Sequence, residues 1–118
     1  MFKIEDDVIH ITRGDKATIE FSIENYTFKE GDIVLFRVYN KNGMNLTPIL
    51  KKETIAREQS DFLNIDLTSE DTKIGKPTNK PMEYWYEIEL NGNQTIVGYD
   101  EFGAKKLKLY PEGVDASD

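Results

Sequence analysis

Period-two alternation of apolar and polar residues runs through this chain and restricts it to β structure. Ala17, Ile19, Phe21 and Ile23 alternate with Thr18, Glu20, Ser22 and Glu24. Tyr84, Tyr86, Ile88 and Leu90 alternate with Glu83, Trp85, Glu87 and Glu89. Successive side chains of a strand point to opposite faces, so each run puts one face in a core and the other toward water. A helix would instead need its apolar residues roughly every three to four positions.

Shorter runs follow the same rule. In Val8–Thr12, Ile9 and Ile11 share one side and His10 takes the other. In Ile33–Tyr39, Val34, Phe36 and Val38 share one face, while Ile33, Leu35 and Tyr39 share the second face with Arg37. A strand apolar on both faces is central in its sheet or is covered by a neighbouring subunit. Residues 49–55 carry lysines and read as an edge strand, where charge discourages further pairing. Leu63, Ile65 and Leu67 mark another strand, residues 94–99 return from Asn91-Gly92-Asn93 as a hairpin, and Leu107 and Leu109 lie between lysines in the last strand. Turns fall at Arg13-Gly14-Asp15, Glu30-Gly31-Asp32 and Asn42-Gly43, where glycine permits the backbone a turn requires. Residues 68–72 read as a single helical turn, with Thr68 as N-cap and Asp71 three residues on. Residues 76–82, with Pro77 and Pro81, form a loop.

About eight short strands, frequent turns and no long helix predict an all-β protein, an antiparallel immunoglobulin-like β-sandwich. A small jelly roll or open barrel is the alternative. The order of a strand ending at Leu67, a short polar turn and a tyrosine-rich strand matches the E–F corner of such sandwiches, although residues 75–81 make a longer loop than a true tyrosine corner carries. With 118 residues the chain suffices for one domain, which folding buries by about two-thirds. That domain is expected over residues 1–110, followed by an acidic tail over 111–118.

Composition removes several functions. There is no cysteine, which excludes thiolate metal sites, thiol nucleophiles and disulfides. One histidine excludes multi-histidine metal sites. Fifteen basic against twenty-two acidic residues give a net charge of −7, which argues against nucleic acid and anionic membrane as partners. No segment reaches the length of a membrane span, the first residues lack the apolar core of a secretory signal, and no phosphate-binding or dinucleotide-binding glycine motif occurs. No catalytic, cofactor or metal residues are expected.

Each candidate for chemistry has a plainer explanation. His10 reads as a surface or interface histidine rather than a general base. Arg13-Gly14-Asp15 matches the integrin-binding tripeptide, but a turn between strands explains the same three residues. Glu5, Asp6 and Asp7, with Glu83, Glu87 and Glu89, lack calcium-loop spacing and read as solvated faces. Trp85 stands apart. It points away from the Tyr84/Tyr86 face, where either a loop or sheet edge covers it, or it anchors a protein contact or, near Tyr39 or Tyr99, stacks on a sugar ring. Leu35, Tyr39 and Trp85 are the expected interface residues.

Three stretches carry a family resemblance. Ile9-His10-Ile11-Thr12-Arg13-Gly14-Asp15 leads into the alternating strand 17–23 and then Phe28-Lys29-Glu30-Gly31-Asp32-Ile33-Val34-Leu35-Phe36-Arg37-Val38. Later come Tyr86-Glu87-Ile88-Glu89-Leu90, Gln94-Thr95-Ile96-Val97-Gly98-Tyr99-Asp100 and Leu107-Lys108-Leu109-Tyr110-Pro111-Glu112-Gly113. The pattern resembles small tail or baseplate proteins of phages and prophages of Gram-positive (Firmicutes) bacteria, and is similar to the N-terminal domain of upper baseplate proteins. The resemblance implies a non-enzymatic virion structural protein, assembled in the host bacterial cytoplasm. Other tail or baseplate proteins and further copies of the chain are its implied partners, making it a homo-oligomer. It carries over no catalytic residues. The stem and receptor-binding parts of the larger baseplate proteins have no counterpart in these 118 residues. A carbohydrate-binding module using exposed aromatics is the alternative function.

Overall fold

The computed structural model describes residues 1–40, 47–97 and 105–112. Among these are nine strands and no helix: β1 (Phe2–Glu5), β2 (Val8–Thr12), β3 (Ala17–Phe21), β4 (Ile33–Tyr39), β5 (Leu50–Ile55), β6 (Leu63–Leu67), β7 (Met82–Leu90), β8 (Gln94–Val97) and β9 (Lys105–Tyr110). The Asn42-Gly43 turn, the end of the hairpin at Tyr99 and residues 113–118 of the expected tail lie outside the described residues.

The strands form two layers. A large sheet runs β1-β2-β9-β7-β4-β5, with β8 hairpinned onto β7, and a small sheet pairs β3 with β6. Every pair is antiparallel except one: β2 lies parallel to β9, with Ile9 opposite Leu107 and Ile11 opposite Leu109. Alternation in the sequence could not reveal this, because parallel and antiparallel strands share the same period.

The alternating residues fill one core. Ile9 and Ile11 of β2, Val34, Phe36 and Val38 of β4, Tyr84, Tyr86, Ile88 and Leu90 of β7, and Leu107 and Leu109 of β9 are buried on the inner face of the large sheet. Ile19, Ile65 and Leu67 of the small sheet pack onto them, joined by Phe28, Ala56 and Ile74 from connecting segments. Phe28 and Phe36 are fully buried, each worth about 1.5–3 kcal/mol from its removal from water. Phe21 and Tyr26 meet Phe28 edge-on, at ring-centre distances of 5.7 and 5.6 Å.

Polar side chains fix the connections. The Asp71 amide donates to Thr68 Oγ1 (3.1 Å) and the Thr68 amide to Asp71 Oδ2 (2.8 Å), the reciprocal bonds of the expected cap. Tyr84 packs its hydroxyl against Gly75, where a Cβ would stand 2.2 Å from the Tyr84 oxygen and φ is +68°. The Tyr86 hydroxyl donates across the molecule to the Asp7 carbonyl (2.6 Å). Asp7 and Asp6, with φ of 64° and 53°, form the two-residue turn between β1 and β2.

Candidate interaction surface

The face of the large sheet turned away from β3 and β6 carries every expected interface residue. Val34, Phe36 and Val38 turn inward, so Leu35, Arg37 and Tyr39 turn outward and are half-buried. On β7, Trp85, Glu87 and Glu89 turn outward and are half-buried between the buried tyrosines and isoleucine. Register then decides who meets whom. Tyr39 stands directly opposite Trp85, and Arg37 opposite Glu87. On its other side Trp85 faces Lys106 of β9. Leu35 is set apart from this aromatic pair, opposite Glu53 on β5 and Glu89 on β7.

Charges lock this surface. Arg37 Nη1 donates to Glu87 Oε1 at 3.0 Å and also to Glu89 Oε1. The Tyr39 hydroxyl donates to the same Glu87 oxygen. Burial, with the Glu87 carboxylate at its oxygen, pushes the Tyr39 hydroxyl above its ordinary range, so it stays protonated as a donor. Tyr39 is thereby fixed beside Trp85. Reading Glu87 and Glu89 as a solvated face missed this arginine clamp; the signal was an arginine on an otherwise apolar strand face.

The other candidates resolve into structure. His10 Nδ1 lies 2.8 Å from the Tyr110 hydroxyl, on the outer face of neighbouring strands. Glu5, Asp6 and Glu83 line one shallow depression with His10, but Lys106 and Lys108 line it too, and Glu83 pairs with Lys106 at 3.0 Å. No cluster of acidic or histidine side chains suited to a metal ion occurs among the described residues. Arg13-Gly14-Asp15 is a structural turn. Arg13 bonds Glu112 (3.3 Å), the Gly14 amide donates to Thr72 Oγ1 (2.9 Å), and Thr72 Oγ1 donates to the Asp15 carbonyl (2.9 Å).

Comparison with known proteins bears on the architecture. No family model matches the chain, and no curated protein matches it. Among solved structures, the Pseudomonas aeruginosa CupB2 chaperone is similar, with a TM-score of 0.52 and 12% identity over 91% of this chain and 55% of that one. The CsuC-CsuE chaperone-tip adhesion subunit pre-assembly complex of Acinetobacter baumannii, from archaic chaperone-usher Csu pili, aligns with a TM-score of 0.46 and 13% identity, over 96% of this chain and 53% of that one. The chain thus spans about half the length of these neighbours. The fold is an immunoglobulin-like β-sandwich. At this identity the likeness extends to the fold alone.

Proposed function

We propose that the protein is a non-enzymatic structural component of a phage or prophage tail or baseplate, located in the virion and working by protein–protein assembly. The observation that carries the assembly reading is the Tyr39–Trp85 pair, held directly across two central strands on the sheet face opposite the small sheet. A tyrosine held by its hydroxyl opposite a half-buried tryptophan offers contact area at little entropic cost, the property of an interface anchor. The sequence resemblance to baseplate proteins supplies the setting, and the surplus of acidic residues would keep free subunits apart until docking.

The test uses particles induced from a strain carrying the gene, with the chain tagged. The wild-type protein should co-purify with tails, and Trp85→Ala or Tyr39→Ala should lower its incorporation at least about tenfold, the loss expected for a hot-spot aromatic. Absence of the wild-type protein from particles would overturn the tail reading. Unchanged incorporation of both variants would remove these residues from the contact. The same aromatic pair is what favours the carbohydrate-binding alternative, so a glycan array probed with wild type and Trp85→Ala separates the two. Trp85-dependent binding to a glycan would favour the module.

A further inference from the structure

We propose that the outer edge of β1 pairs with β1 of a second copy of this chain, joining two large sheets into one across a two-fold axis. β1 ends the large sheet, and among the described residues no strand pairs with its outer side. Its hydrogen-bonding phase is fixed by the hairpin. Glu5 and Val8 flank the two-residue turn, and the Thr12 amide donates to the Met1 carbonyl at 2.9 Å. Odd-numbered residues of β1 therefore spend their backbone groups on β2, and the amides and carbonyls of Phe2 and Ile4 face outward.

Charge selects one register. An antiparallel pair of identical strands must be centred on a residue. Centred on Lys3, two lysines oppose each other; centred on Glu5, two glutamates do. Centred on Ile4, Lys3 of each copy stands opposite Glu5 of the other, and the outward Ile4 amide and carbonyl meet their own copies in a hydrogen-bonded pair. Lys3 and Glu5 already share one face, with an ion pair of 3.5 Å within the strand and both side chains exposed. Edge charges ordinarily discourage pairing. Here their order along the strand makes the edge complementary to itself.

The apolar face agrees. Ile4 stands opposite the buried Ile9 and Phe2 opposite the buried Ile11, so both continue the core row, yet Ile4 is 46% exposed. A second copy would set Ile4 against Ile4 and close that row.

This inference rests on the assembly reading and supplies its contact between copies. The test is the solution mass of the full chain, by light scattering and sedimentation, with circular dichroism to verify folding. Wild type should be a dimer. Lys3→Glu and Glu5→Lys, each placing like charges opposite one another, should each weaken association by about tenfold or more. The double variant should restore it, and a mixture of the two single variants should form the dimer that neither forms alone. Ile4→Pro removes an outward amide while leaving the bonds to β2, and should give a folded monomer. A monomeric wild type, or a dimer indifferent to these changes, would overturn the edge pairing. A monomer that still enters particles would do so while leaving the tail reading intact, and a dimer absent from every particle would overturn only the tail reading.

Discussion

The Asp32 carboxylate is buried and stays charged because three groups hold its oxygens. The Lys29 amide donates at 3.0 Å, the Tyr26 hydroxyl at 2.5 Å and Asn91 Nδ2 at 3.2 Å. Asn91 in turn accepts from the Ile33 amide at 2.8 Å, so one carboxylate joins the turn before β4 to the turn after β7. The Lys29 amide first, then the Tyr26 hydroxyl, hold Asp32 below its ordinary 3.8. The sign follows from linkage. A lowered folded-state value means stability that is fully present above the unfolded value and is lost as pH falls through the folded one. Urea unfolding of wild type should therefore show a midpoint that drops progressively below about pH 3.8. Asp32→Asn should unfold more easily at pH 7 and lose part of that acid slope; parallel pH curves for the two proteins would contradict the assignment. Nothing in Glu30-Gly31-Asp32 distinguished this residue from a solvated turn aspartate, because its partners Tyr26 and Asn91 become neighbours only when the loops meet.

At the scale of elements, alternation located the strands and the inward faces. The runs around β3, β4, β6 and β7 put the buried residues where they are found, because a half-buried strand writes its two environments directly into the sequence. The lysine-bearing segment is an edge strand, as charge on both faces implies. β1 was not legible. Its four residues alternate, but its turn is Asp6-Asp7 rather than an asparagine–glycine pair, so the usual mark of a tight hairpin is missing. The bond from the Tyr86 hydroxyl to the Asp7 carbonyl, with Lys105 3.7 Å from the Asp7 carboxylate, binds that turn to β7 and β9. Tyr86→Phe should accordingly cost about 0.5–1.5 kcal/mol in chemical unfolding. It should also speed amide exchange in β1 more than in β4, and equal effects on both strands would deny the hydroxyl a local role. The Tyr39–Trp85 pairing needed a register between β4 and β7, which no single-strand pattern contains.

At the scale of the molecule, one apolar cluster spans both sheets, so the layers should come apart together. The protein has a single tryptophan, on the outer face of β7, while circular dichroism follows the whole backbone. The two signals should give coincident urea transitions. Phe36→Ala, which empties a fully buried position on a central strand, should lower stability by about 3–5 kcal/mol in both signals. A tryptophan transition that parts from the backbone one would mean that the large sheet loosens by itself.

The parallel ladder between β2 and β9 has a consequence for biosynthesis. His10 and Tyr110, which touch across it, are 100 residues apart along the chain. An emerging polypeptide can form the β1–β2 hairpin early, but among the described strands the hairpin pairs with none besides β9, which must first clear the ribosome. The hairpin bearing Lys3, Ile4 and Glu5 therefore joins the large sheet last, and closure of so distant a contact is slow. Chains still being translated on one messenger would present that edge only on an undocked hairpin.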